Sequence, residues 1–160
     1  MAEAGREAFA ETFLPGPREL PPRPIAQQRP LPARIAMAQG AYLLIFGGWP
    51  FFHLRSFEAL TGPKLEGWLA KGNGATLANI GVTLLYSGLR GEVRRPTRLL
   101  GAGIAFTYAA LDFHYAGLRR RISPRYLVNG LVQLAFGAAW LTAEIRDRLR
   151  ARRAPEPAFA

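Results

Sequence analysis

Four apolar segments of nearly bilayer length dominate the sequence and limit what the chain can fold into. They run over residues 35–52, 73–89, 99–118 and 126–145, and Arg or Lys residues flank each of them. About 20 apolar residues are needed to cross a bilayer as a helix. Because lipid offers no hydrogen bonds to the backbone, such segments fold as helices. The sequence therefore predicts an all-α, integral membrane four-helix bundle with spans at about 35–54, 69–89, 99–118 and 126–145.

The spans divide the chain into three parts. Residues 1–34 form a proline-rich arm, residues 35–146 the transmembrane domain, and residues 147–160 a basic tail. Seven prolines between Pro15 and Pro32 favour an extended arm. The arm has no apolar run, which excludes a signal peptide. It is either a disordered tail or a docking arm for a partner subunit.

The strongly basic composition indicates membrane topology. The net charge is +10, and the arginines cluster at the ends of the apolar segments rather than interleaving with exposed aromatics, so nucleic acid is not expected as a partner. From residue 18 onward, 13 Lys and Arg flank the spans on the side that holds both termini, against 7 on the other side. The positive-inside rule then predicts a bacterial inner (cytoplasmic) membrane protein with both termini in the cytoplasm. Cysteine is absent, which excludes disulfides and thiolate metal sites.

Small residues recur at helical spacing within the spans. Gly101, Ala105 and Ala109 lie one turn apart on the third span, Gly74 and Ala78 do so on the second, and a small-residue patch covers 137–139 on the fourth. Small residues let membrane helices approach each other closely. We expect these faces to form helix–helix contacts.

The first loop is too rich in helix signals to be a simple turn. Ser56 can cap a short helix through Leu60, and Gly62 can end it. We therefore expect a short interfacial helix here. An aromatic belt at the same membrane surface is formed by Trp49, Phe51, Phe52, Phe57 and Trp68.

The residues from Gly47 to Lys71 carry the pattern G-x-W-P-x-x-H-x-x-S-F-E-x-x-T-G-P-K-x-x-x-W-L-x-K. With this pattern and Ile122-Ser123-Pro124 before the fourth span, the region 35–145 resembles an uncharacterised family of small bacterial four-helix integral membrane proteins. The resemblance implies the fold and brings no activity with it.

Asp112 is the most informative polar residue of the spans. It lies in the run 99–118, which holds no other charge, and a charge at membrane depth normally has a partner or a function. The predicted topology places further polar residues at a similar depth, in the outer half of the bundle: Asn79, Asn129, Gln133, His53 and Arg55. The cluster is either a set of packing hydrogen bonds or a polar pocket that opens outward.

Three interpretations of Asp112 itself remain open. It is a structural ion-pair partner of Arg55, His53 or a loop arginine, a proton or cation site, or a neutral group hydrogen-bonded to Asn129 or Gln133. It does not form a dyad with His114, because residues two apart on a helix point to nearly opposite sides.

The sequence contains little that indicates chemistry. His53 and His114, on different spans, are candidate haem ligands, but there is one such pair and no other cofactor signal. No H-E-x-x-H, G-x-S-x-G or acidic cluster occurs, so we expect no metal site and no catalytic residues.

The arm, the small-residue faces and the missing catalytic set together favour a non-catalytic accessory or assembly subunit of a larger membrane complex. Its partners are then the lipid bilayer and other membrane-protein subunits, reached through residues 1–34. The alternative is a small transporter or redox-linked carrier that uses the polar pocket around Asp112.

Overall fold

The computed structural model of the chain describes residues 29–63 and 66–153, and the described part is all-helical, with no strand. The helices are α1 (Leu31–Phe52), α2 (Leu54–Thr61), α3 (Gly67–Arg90), α4 (Arg95–Asp112) and α5 (Tyr126–Arg153). A π-helical turn, Phe113–Leu118, continues α4 without a break. The all-α class is thus confirmed.

Helices α1 and α3 form a close antiparallel pair whose contact consists of small residues spaced seven apart. Along the contact Ala33 faces Gly88, Gly40 faces Gly81, and Gly47 faces Gly74. A Cβ atom at Gly40 would lie 2.5 Å from the backbone nitrogen of Leu85, and one at Gly81 would lie 2.7 Å from the Gly40 carbonyl oxygen. The two backbones approach this closely because glycine has no side chain.

Helices α4 and α5 form the second pair. The predicted small face of α4 is confirmed, since Gly101, Ala105 and Ala109 are all buried. On α5, Gly137 lies against the ring of Phe106. A Cβ atom at Gly137 would lie 2.7 Å from that ring. The bundle therefore consists of two tight pairs, α1 with α3 and α4 with α5.

A buried glutamine joins the two pairs in the half of the bundle that holds the start of α1 and the end of α5. Gln39 of α1 donates to the carbonyl oxygen of Gly101 at 2.9 Å and accepts the indole N–H of Trp140 at 2.7 Å. Around it Ile35, Ala36 and Ala143 form the apolar core. The Gln39 side chain of the first helix pair therefore bonds to both helices of the second pair.

The helices are longer than the predicted spans. Helix α1 begins at Leu31 with Pro32 in its first turn, so the last residues of the predicted arm are helical. Helix α5 continues to Arg153, so the predicted tail 147–160 begins as helix, and residues 154–160 lie outside the described part. Residues 1–28 of the arm also lie outside it. The apolar run therefore covers only part of each helix, and the helix itself extends into its charged flanks.

The short helix of the first loop is present as α2. It starts earlier than predicted, because His53 rather than Ser56 is its N-cap and accepts the Ser56 N–H at 3.2 Å. Gly62, with φ of 93°, follows its end as predicted. Helix α2 folds back on α1, with the Trp49 indole N–H donating to Ser56 Oγ at 2.7 Å.

Two of the helices, Leu31–Phe52 and Tyr126–Arg153, are long and apolar enough to cross a membrane by length and composition.

Candidate functional site

Asp112 lies at the junction of α4 and the π-helical turn, in the half of the bundle opposite Gln39. Its side chain is 4% exposed. Carboxylate oxygen Oδ2 accepts a hydrogen bond from Asn129 Nδ2 at 2.5 Å, and Asn129 Oδ1 accepts one from the Tyr42 hydroxyl, also at 2.5 Å. One amide therefore connects α1, α5 and α4 through two short hydrogen bonds.

A second Tyr–Asn pair crosses between the helix pairs. The Tyr108 hydroxyl of α4 donates to Asn73 Oδ1 of α3 at 2.7 Å. Tyr42 and Tyr108 thus tie each helix of the α1–α3 pair to the α4–α5 pair. The two pairs otherwise make few contacts with each other, and a cavity remains between them in this half of the bundle.

This cavity has a volume of about 450 Å³. Its walls are mainly apolar and come from α1, α3, α4 and α5, with Leu43, Phe46, Leu77, Leu111 and Val132 among them. Its polar lining consists of Tyr42, Asn73, Tyr108, Asp112, Arg125, Tyr126, Asn129, Gln133 and Thr61. An apolar cavity with a few convergent polar groups is the usual form of a small-molecule site.

Gln133 lines the cavity and has a buried acceptor without a partner in the described part of the chain. Its side chain is 2% exposed, and its Oε1 atom has no hydrogen-bond partner among the described residues. Leaving a buried polar atom unpaired costs about 1–3 kcal/mol. Gln133 lies one helical turn after Asn129, so its side chain is on the same face of α5 as the partner of Asp112.

Helix α2 covers one end of the cavity. Its residues Phe57, Leu60 and Thr61 line the cavity. Arg125, just before α5, donates to the carbonyl oxygens of Ala59 at 2.6 Å and Leu60 at 3.4 Å. Arg125 thereby caps the carbonyl end of α2 and holds this helix over the cavity.

The wide turn after Asp112 had no signal in the sequence. The Phe113 N–H is shared between the carbonyl oxygens of Ala109 and Ala110, which is where α4 passes into the π-helical turn. π-helical turns are rare, and this one follows α4 and ends at Leu118.

The predicted polar cluster is assembled in part. Asp112, Asn129 and Gln133 meet at the cavity. Asn79, His53 and Arg55 do not line it, and all three are exposed. Within the described residues no Lys, Arg or His nitrogen lies within 4.0 Å of the Asp112 carboxylate, so the predicted ion pair with Arg55, His53 or a loop arginine is wrong there and the hydrogen bond from Asn129 takes its place.

The two histidines lie outside the cavity. His53 Nδ1 is the N-cap acceptor of α2. The His114 ring is exposed and packs edge-on against the Tyr115 ring, with 4.8 Å between the two ring centroids. The described residues contain no group of three His, Asp or Glu side chains that could hold a metal ion. The chemistry of the cavity is therefore hydrogen bonding and charge within an apolar volume.

Comparisons of the chain with protein-family models, with curated proteins and with solved structures find no match.

Proposed function

We propose that the protein is an integral membrane four-helix bundle that binds a small, mainly apolar molecule in the cavity around Asp112. The observation that carries the proposal is the 450 Å³ apolar cavity between the two helix pairs, with the buried side chains of Asp112 and Gln133 in its wall. This proposal corresponds to the alternative function predicted from the sequence, a small transporter or redox-linked carrier that uses the polar pocket around Asp112. The accessory-subunit hypothesis rests on the arm, most of which lies outside the described residues, and it stays a prediction.

The polarity of the bundle supports a membrane location. Its interior holds the polar side chains Gln39, Asp112 and Gln133. The four long helices expose large apolar side chains along their outer faces: Ile45, Phe52, Val82, Tyr86, Leu89, Leu99, Phe106, Leu131, Leu134, Leu141 and Ile145. Soluble monomers rarely expose apolar surface on this scale. In lipid the same faces are the expected exterior.

All four long helices are spans in this proposal. Residues 72–89 of α3 carry no charged side chain. Residues 99–118, in α4 and its π-helical turn, carry Asp112 alone, and that side chain points inward. The arginine-rich ends of α4 and α5 meet where Arg98 pairs with Asp147 at 2.6 Å, and we place this end in the cytoplasm.

Single-cysteine labelling tests the topology, and the cysteine-free chain is a ready background. An impermeant maleimide applied to spheroplasts is expected to label Arg120→Cys. Arg94→Cys and Arg153→Cys are expected to react only after permeabilisation. If α1 and α5 were the only spans, Arg94→Cys would be labelled in intact spheroplasts, and the four-span proposal would be wrong.

Fluorescence quenching tests the cavity. The Trp49 ring packs at an angle against the rings of Phe46 and Phe57, which line the cavity. In phosphatidylcholine nanodiscs, 1-bromooctane is expected to quench tryptophan emission in a saturable way. Val132→Phe should fill the cavity and remove the saturable component, whereas Val82→Phe, the same change on the exposed face of α3, should leave it intact. Quenching that rises without saturation in all three proteins would reject the proposal.

A further inference from the structure

A second cavity, of about 350 Å³, lies in the half of the bundle opposite Asp112, where α1 begins and α5 ends. The described linings of the two cavities have no residue in common. The walls of the second one come from the first turn of α1, the loop between α3 and α4, the start of α4 and the last turns of α5. Its described lining holds one acid, Asp147, and five arginines: Arg29, Arg34, Arg98, Arg146 and Arg150. We call this cavity the basic cleft.

The acid of the basic cleft is already paired with one of the arginines. Arg98 Nη1 donates to Asp147 Oδ2 at 2.6 Å, and Arg98 Nε donates to the Val93 carbonyl oxygen at 3.2 Å. Val93 in turn packs against the apolar core that contains Ile35. Arg98 therefore holds the α3–α4 loop and α5 in place, and Asp147 does not neutralise the remaining arginines.

Those remaining arginines have no acidic partner in the described part of the chain. No carboxylate oxygen there lies within 4.0 Å of a guanidinium nitrogen of Arg34, Arg146 or Arg150. Arg29 donates to the sulfur of Met37 at 3.0 Å, and a thioether is a weak acceptor. Arg146 and Arg150 are four residues apart on α5, where like charges repel each other. The cleft therefore concentrates positive charge that nothing described offsets.

The donors of the cleft match a phosphate group. A guanidinium carries its N–H groups in a fixed fork that fits two phosphate oxygens at once. A phosphate monoester has three strong acceptor oxygens and a charge of about −1.5 to −2 at pH 7, whereas a diester has a single charge. The first turn of α1, which has no acidic residue and no side-chain cap, adds the positive end of its helix dipole to the same field. Several unpaired cations around one cleft favour the monoester.

We infer that the basic cleft binds a phosphate monoester through Arg34, Arg146 and Arg150. The cleft lies at the ends of the helices, so the phosphate can belong to a lipid head group or to a soluble molecule, and the recognised group is the same in both. The cleft binds it whether or not the cavity around Asp112 holds a ligand, because the two cavities share no lining residue among those described.

Four matched probes test the inference by isothermal titration calorimetry of the full chain in dodecyl maltoside, at pH 7 and about 0.1 M salt. Dioctanoyl phosphatidic acid and glycerol phosphate are the lipid and the soluble monoester. Dioctanoyl phosphatidylglycerol and glycerophosphoglycerol are the corresponding diesters. Each monoester is expected to bind about tenfold more tightly than its diester. Glycerol phosphate binding as tight as that of phosphatidic acid would support the inference with a soluble ligand, and much weaker binding would support it with a lipid head group.

Two double variants assign the binding to the cleft. Arg146→Gln/Arg150→Gln is expected to lower the affinity for phosphatidic acid about tenfold. Arg152→Gln/Arg153→Gln removes the same charge from the same helix outside the cleft, and it should change the affinity less than about twofold. Equal losses in the two double variants would show attraction by net charge alone and would overturn the inference.

The wild-type protein decides the matter even if a variant folds poorly. Equal binding of monoester and diester, or saturable binding of none of the four probes, would overturn the inference. Val132→Phe fills the cavity around Asp112 and should bind phosphatidic acid as the wild type does. Loss of phosphatidic acid binding in Val132→Phe would place the lipid in that other cavity and would also overturn the inference, whereas failure of 1-bromooctane to bind would reject the proposed function alone.

Discussion

The indole N–H of Trp140 donates to Gln39 Oε1 at 2.7 Å, and both side chains are almost completely buried. Because the Gln39 amide also donates to Gly101, this glutamine is satisfied at both ends of its side chain. Gln133, the other buried glutamine among the described residues, lacks a partner for its oxygen. One end of the bundle therefore holds a completed hydrogen-bond network, and the other end holds a cavity and a buried acceptor without a partner among the described residues.

Gln39→Leu is expected to destabilise the bundle by about 1–3 kcal/mol, because it leaves the buried Trp140 N–H without an acceptor and removes the side-chain hydrogen bond to the Gly101 carbonyl. The measurement is unfolding by sodium dodecyl sulfate in mixed micelles. The double variant Gln39→Leu/Trp140→Phe should lose less than the sum of the two single changes. Strict additivity would show that the hydrogen bond contributes nothing to stability.

Gly81→Ala is expected to separate α1 from α3. Its new methyl group would lie 2.7 Å from the carbonyl oxygen of Gly40 and from the nitrogen of Leu44, and backbone atoms cannot move aside locally. We expect a loss of about 1–3 kcal/mol. Gly103→Ala is the matched control, since its Cβ meets no atom within 4 Å, and the higher helix propensity of alanine should stabilise it by about 0.5–1 kcal/mol. Equal effects of the two changes would contradict the close contact.

Asn129→Leu is expected to be among the most disruptive changes at the cavity. It removes the acceptor of Tyr42 and the donor to the buried Asp112 carboxylate, at a cost of about 2–3 kcal/mol. Asn79→Leu is the control, because Asn79 is exposed on α3. In a lipid-facing position that change should leave stability unchanged or raise it. Thermal unfolding in nanodiscs compares the stability of the two variants. A larger loss of stability in Asn79→Leu would contradict the assignment of Asn79 to the outer face of α3.

The positions of the helices could be predicted because apolar runs of bilayer length permit little else. A common height along the helices could also be predicted, and the structure brings Asp112, Asn129 and Gln133, which share that height, to one cavity. Rotation about the helix axis could not be inferred from depth. Asn79 and Asn73 lie on the same helix, but six residues rotate the side chain by roughly 240°, so Asn73 lines the cavity and Asn79 faces outward.

The residues that sequence reasoning missed are those whose role depends on a partner helix. In the sequence, Tyr42 and Tyr108 look like ordinary aromatic residues of an apolar segment. Their acceptors, Asn129 and Asn73, come from the other helix pair, so only the contacts between the pairs reveal their role. The glycine contact had a usable signal, since the small residues of α1 and of α3 are both spaced seven apart. A search for equal spacing on two spans, rather than within one span, would have found it.

Arg120 occupies a left-handed backbone conformation, with φ of 50°, in the turn after the π-helical segment. The turn is closed by the Arg121 N–H, which donates to the Tyr115 carbonyl oxygen at 2.9 Å. A residue with a Cβ pays about 1 kcal/mol in this region, whereas glycine adopts it freely. Arg120→Gly is therefore expected to raise the free energy of unfolding by about 0.5–1 kcal/mol. Arg121→Gly removes the same charge from the same loop at a position without positive φ, and it should be neutral or destabilising. Denaturant titration of both variants against the wild type measures the difference, and greater stabilisation by Arg121→Gly would show that relief of charge repulsion, rather than of backbone strain, governs this turn.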